Sequence, residues 1–174
     1  VKLWGSSSEK KPRVILIRDQ RIPDYGKNPD QNVVQEMLDK AVHKLTGASN
    51  VMEAWKKIIK PDDVVGIKTN VWRYLATPKE VENALNKRII GAGVTSRNIG
   101  INDRSVLYDP VFKKATALIN VRPMRTHAWS GVGSLLKNHI MFSPTPSAYH
   151  DDSCADLATL WELPLIKGKT RLNV

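Results

Sequence analysis

The chain has 174 residues and a mass of 19.5 kDa, and its 27 Lys and Arg against 17 Asp and Glu give a formal charge of +10. That length suits one domain able to bury a core, and 41% hydrophobic with 25% charged content argues against a disordered chain. The single cysteine, Cys154, excludes an internal disulfide, a cysteine-rich zinc site and an iron–sulfur cluster held by this chain alone, and no apolar run reaches the roughly 18 residues of a membrane-spanning helix.

Residues 1–12 carry Gly5 to Ser8 and Glu9 to Lys11 without an apolar period, and they read as a flexible lead. No initiator Met or signal peptide opens the sequence, so the expectation is a start inside a longer chain or after processing. Residues 13–174 are expected to form a single α/β domain. Arg13 to Ile17 is a short β-branched run that predicts a buried strand, and Pro23 to Pro29 a loop. Val33, Val34, Met37, Leu38, Ala41, Val42 and Leu45 recur at helical spacing and predict a helix over 32–45, stopped by Gly47. A second amphipathic piece runs over 51–59 before Pro61, and 62–68 predicts another buried strand.

Thr77, Pro78 and Glu80 read as a helix start with Thr77 as the N-cap, leading to Ile90 and closed by Gly91 and Gly93. Further strands are predicted over 96–101 and 115–121. This alternation predicts an open, mainly parallel sheet with helices on both faces. After Pro123 the pattern weakens into an irregular C-terminal portion, with a short helix over 135–141, a turn over 143–146 and helical turns over 156–161.

The surplus of positive charge raises nucleic-acid binding, since phosphate neutralisation is its commonest use. The distribution favours a dispersed basic surface instead. Lys10, Lys11, Lys56, Lys57, Lys60, Lys113, Lys114, Lys167 and Lys169 are scattered, and no run of five occurs. Affinity for anionic partners in general survives that reading.

In open parallel sheets, ligands bind beyond the carboxyl ends of the strands. The polar residues there are Asp19, Asn70, Asp103 with Arg104, and Arg122. The stretch from Arg122 to Asp156 is denser and holds three of the four histidines; His43 lies in the first predicted helix as a surface or boundary residue. Two chemistries compete for the stretch. His127, His139 and His150 with Asp151 or Asp152 suit a divalent metal by ligand type, although their spacing matches no ligand motif. Alternatively, Gly131 and Gly133 precede a short helix near Ser134, where free backbone N–H groups with Lys137, Arg125 and Arg122 would capture an anion. The glycines match neither a phosphate-binding loop nor a full dinucleotide fingerprint, and capping glycines are the simpler account. Cys154 with His150 four residues earlier reads as a buried small residue before a nucleophile. Trp55, Trp72, Trp129 and Trp161 read as core or interface, and Trp4 as a contact for a partner.

Several segments together resemble the bacterial and archaeal family catalogued as domain of unknown function 362. Val64 to Asn70 resembles its strand ending in Lys-x-Asn, Ile99 to Asp103 a second strand, Leu118 to His127 its Pro-Lys-x-Lys-Thr-His element, and Gly133 to Asn138 a further motif. They occur in family order across roughly residues 13 to 174. Arg122 and Arg125 stand where Lys is more usual, which keeps the charge. The resemblance implies an α/β domain without an established activity, a possible place among exported proteins, and a further strand–helix portion without which the sheet is expected to be incomplete.

The functional expectation is a pocket for an anionic or metal-bound small molecule lined by Asn70, Asp103, Arg122, Arg125, His127, Lys137 and Asn138. Arg122, Arg125 and Lys137 would hold the anion, His127 would act as acid, base or metal ligand, and Asp103 would orient or ligate. The metal reading adds His139, His150 and Asp151. The alternative of a different class is a structural subunit, alone or as a homo-oligomer, docking an acidic protein partner through its basic face.

Overall fold

The structure, a computed structural model, describes residues 12–23 and 28–174. The expected lead and Trp4 lie outside these residues except for Pro12, as does most of the loop between Pro23 and Pro29.

Local chemistry sets most of the elements. Helix α1 (Gln31–Thr46) starts where the Asp30 side chain accepts from the N–H groups of Asn32 and Val33, and ends at Gly47, whose φ of 60° closes it. Helix α2 (Val51–Ile58) is capped by Asn50, which accepts from Glu53 N–H, and stops before Pro61. Strand β1 (Val65–Lys68) leads to α3 (Lys79–Gly91). Strand β2 (Ile99–Asn102) leads to α4 (Pro110–Lys114), and then comes β3 (Ala117–Asn120). Strands β4 (Arg125–His127) and β5 (Gly131–Gly133) form a hairpin, followed by α5 (Leu135–Asn138), a series of 3-10 turns between His139 and Glu162, and β6 (Thr170–Asn173).

The central sheet is parallel, with strand order β2-β1-β3-β6, and the expected α/β architecture is the one found. Side chains alternate across it. Val65, Ile67, Ala117, Ile119 and Leu172 pack with Trp55, Leu85 and Ile89 from the α1–α3 layer. On the other face Leu118 packs with Phe112, Phe142 and Ile166. Gly66 makes that second layer close-fitting, because a Cβ there would come 2.8 Å from Leu118 Cδ2 and 2.9 Å from Phe112 Cε1. Helix α1 is tied to its neighbours by buried Asp39, which accepts from Gln35 Nε2, from Trp55 Nε1 at 3.0 Å and from Arg88 in a two-pronged ion pair.

Two sequence expectations are corrected, and three elements appear that the sequence did not predict. Arg13 to Ile17 pairs with no strand; the Arg13 guanidinium instead ties it to the C-terminal end of α1 by donating to the carbonyls of Lys44 and Leu45. Its apolar content on both sides implies double burial, yet Val14 and Leu16 are 90% and 73% exposed. The fourth strand comes instead from Thr170–Asn173, whose sequence alternates too weakly to read as a buried strand. Thr77 is not the cap of α3; Pro78 holds that position, and the Thr77 hydroxyl accepts from Asn70 N–H and donates to Val121 C=O. Helix α4 and the β4–β5 hairpin were not expected. The first is short enough to hide in a loop and is set by Asp109 accepting from Val111 and Phe112 N–H, with Pro110 in its first turn.

Candidate functional site at the carboxyl ends of the strands

The ladder hydrogen bonds run on past the ends of β1 and β3, so the residues that follow are held as firmly as the sheet. Thr69 N–H donates to Asn102 C=O, Val121 N–H to Lys68 C=O and Arg122 N–H to Val174 C=O. The loop after β1 is closed by Thr77 N–H donating to Asn70 C=O, and it meets the loop after β2 where Val71 N–H donates to Asp103 Oδ2 at 2.9 Å. Asn138, fully buried on α5, clamps these strand ends by donating to Lys68 C=O, Asn120 Oδ1 and Val121 C=O.

These loops enclose a cavity of about 160 Å³ lined by Asn70, Trp72, Asp103, Arg104, Arg122, Arg125, Lys137 and Asn138, with Ile140 and Met141. That is below the roughly 300 Å³ at which drug-sized ligands begin to be enclosed, so the space suits an ion or a small head group. All six of the expected residues other than His127 therefore converge, because Asn70, Asp103 and Arg122 follow strand ends, Lys137 and Asn138 sit on α5, and Arg125 opens β4.

The cavity's charge is strongly positive. Arg122 is 6% exposed, and its Nε and Nη2 have no hydrogen-bond partner. Burial, reinforced by the Arg125 charge, pulls its pKa down to about 10 against the opposing pull of Asp103. Lys137, also 6% exposed, and Arg125 are shifted down as well, both chiefly by burial. Among the described residues none of these three has an ion-pair partner. Arg125 stacks over the Trp72 ring at 3.7 Å and donates to Asn70 Oδ1, which fixes its guanidinium at the wall.

The hairpin places two residues over this floor. Alternation turns Arg125 and His127 inward and leaves Met124, Thr126 and Val132 exposed. Buried Gly133 lets the hairpin approach, since a Cβ there would lie 3.1 Å from Arg122 Nη2. His127 Nδ1 is 3.0 Å from Ser130 Oγ, and its ring lies 5.9 Å from that of His150, nearly parallel. Burial and then the charges of Lys137, His150, Arg122 and Arg125 lower its pKa, so the ring is neutral at pH 7. His150 Nε2 accepts from Lys137 Nζ at 2.6 Å, while its Nδ1 lies 3.2 Å from Ser147 C=O; the Nδ1–H tautomer satisfies both.

The metal set is not assembled. His127 and His150 meet, but His139 is fully buried against the rings of Phe142 and Trp161, with neither ring nitrogen partnered, and its pKa is pushed down by burial to about 3. Asp151 is exposed, and the described residues contain no group of three or more His, Cys, Asp or Glu side chains placed to hold a metal. The glycine-loop version of anion capture is also corrected. Gly131 and Gly133 belong to β5, and α5 has only four residues, so the positive charge comes from side chains. Asp19 lies outside the cavity, paired with Arg21, because no strand precedes it. Cys154 is buried.

Two participants were not expected from sequence. Trp72 is the first, an aromatic in a loop with no period to mark it. Lys68 is the second: it is fully buried, ends a strand that is buried throughout, and bonds Asp103 Oδ1 and Thr69 C=O. A lysine closing an apolar run was the signal for it, since a buried ammonium needs a carboxylate.

Fold and site together define an open parallel α/β domain with a cationic pocket at the carboxyl ends of its strands. Compared with protein-family models, with curated proteins and with solved structures, the chain matches none. No helix among the described residues is long and apolar enough to cross a membrane.

Proposed function

We propose that the chain binds a small oxoanion, or the phosphate or carboxylate head of a small molecule, in the pocket formed by Arg122, Arg125 and Lys137. The observation that carries this reading is Arg122, a buried guanidinium with two donor nitrogens unpartnered beside a cavity. An unpaired buried donor costs about 1–3 kcal/mol, a cost that an anion accepting from it would remove. Asn70 and Asn138 supply neutral polar walls. His127, neutral and inward-facing, is placed to exchange a proton with a bound ester or acid, with Ser130 orienting its ring. The resemblance to domain of unknown function 362 fits this reading, because three of its matched segments end at Asn70, Asp103 and Asn138, which line the pocket, and a fourth ends at His127 on the neighbouring hairpin.

Isothermal titration of inorganic phosphate into the protein tests the proposal. Saturable one-to-one binding, weakened tenfold or more by Lys137→Met, supports it; undiminished binding in that variant sinks it. Docking of an acidic partner is the second reading, favoured by Met124 and Trp129, 72% and 60% exposed beside the same basic end. Light scattering after size exclusion separates the two, since a stable oligomer whose formation is blocked by Trp129→Ser favours docking.

A further inference from the structure

The pocket contains one carboxylate, and its charge is already spent. Asp103 is 7% exposed and lines the cavity, where its field reaches both Arg122 and Arg125. Yet Oδ1 is taken by Lys68 Nζ, and Oδ2 accepts from Val71 N–H. Lys68 itself does not line the cavity. It lies behind Asp103 with no exposure, in the middle of the sheet, and its other contacts are Thr69 C=O and Asn138 Oδ1. Without the ammonium, Asp103 would be the nearest counter-ion for the unpartnered Arg122, and the cavity would carry its own anion.

We propose that Lys68 sets the pocket's preference for doubly charged tetrahedral oxoanions, by holding Asp103 in an internal ion pair and leaving Arg122, Arg125 and Lys137 for the ligand. This rests on the anion-binding reading above and adds the ligand class and a positioning residue to it. The charge argument is differential. A dianion gains from the pocket's excess positive charge roughly twice what a monoanion gains, so loss of the ammonium that offsets Asp103 weakens sulfate or phosphate more than acetate.

The test is a double-mutant cycle on Lys68→Met and Asp103→Asn, titrating sulfate, which stays doubly charged across the working range, and acetate. Thermal melts report whether each variant folds. The expected results are sulfate binding weakened at least tenfold in Lys68→Met, acetate weakened by only about the square root of that factor (about threefold for a tenfold sulfate loss), and sulfate restored to within threefold of the unsubstituted protein in the double variant. The selective loss of sulfate over acetate is not what a merely structural lysine would give, since losing a structural ion pair would weaken both anions alike. Should Lys68→Met fail to fold, the double variant alone decides: sulfate binding and selectivity like the unsubstituted protein support the inference. Equal losses for sulfate and acetate, unchanged sulfate binding in Lys68→Met, or a double variant as weak as Lys68→Met overturn it while leaving the anion pocket standing. Failure of the unsubstituted protein to bind sulfate or phosphate at all overturns both.

Discussion

Replacing Arg122 by Met sets stability against binding. The side chain is almost fully buried, and Nε and Nη2 lack partners, so the empty protein carries the desolvation cost of at least one donor, about 1–3 kcal/mol. Methionine keeps an unbranched apolar stem, gives up the guanidinium whose Nη2 faces Gly133, and removes the charge that opposes Arg125 and Lys137. The empty Arg122→Met protein is therefore expected to be more stable by about 1–3 kcal/mol. For a chain of this length that is a rise in melting temperature of roughly 3–9 °C at about 3 °C per kcal/mol. A charge-assisted hydrogen bond contributes about 1.5–3 kcal/mol, so the same change should weaken phosphate by tenfold or more. Melts in anion-free zwitterionic buffer, repeated with added phosphate, read both effects. The unsubstituted protein should gain stability with phosphate and the variant should not. An Arg122→Met protein that melts lower than its parent in the empty state and still responds to phosphate would refute the reasoning, since Arg122 would then be a satisfied structural residue.

Asp39→Ala strips Arg88, Trp55 and Gln35 of their shared acceptor and should cost about 3–5 kcal/mol in urea unfolding; a loss below 1 kcal/mol would mean solvent replaces that acceptor. Gly66→Ala forces a methyl against Leu118 and Phe112 and should destabilise by about 1–3 kcal/mol, again by urea unfolding, without changing phosphate affinity. His139 has its pKa lowered to about 3 in the fold, against an ordinary value of 6.5. The unfolded chain thus binds the extra proton first, and stability falls as pH drops from 6.5 towards 3. His139→Phe should flatten that part of the stability profile, and an unchanged slope would show that His139 is not the source. In NMR titrations of the empty protein, His127 should protonate below the ordinary histidine value and shift upward when phosphate is added, because a bound anion offsets the cations around it.

The sheet and most of the pocket were legible in the sequence because both follow from periodicity. Apolar runs ending at Lys68, Asn102 and Asn120 place Asn70, Asp103 and Arg122 at one end of a parallel sheet, and that placement needs no knowledge of side-chain contacts. What was not legible depends on tertiary partners. Arg13 to Ile17 has a strand's composition, but composition does not say whether a neighbour exists to pair with it. His127, His139 and His150 are alike as residue types, and only packing separates an inward-facing pair from a histidine enclosed by Phe142 and Trp161. The hairpin escaped notice because its strands are three residues each, too short for alternation to register. Two such strands are marginal alone, and this pair is held over the site by Arg125 on Trp72 and by the ring contacts of His127 and Trp129 with His150.

The most direct measurement of the central claim is a crystal grown with tungstate, a heavy tetrahedral dianion whose anomalous signal marks its position. The account predicts a peak inside the cavity, with oxygens within hydrogen-bond distance of the Arg122 guanidinium and Lys137 Nζ, and with Asp103 still paired to Lys68. A cavity holding only water, with Arg122 turned onto Asp103 and tungstate elsewhere on the surface, would contradict it.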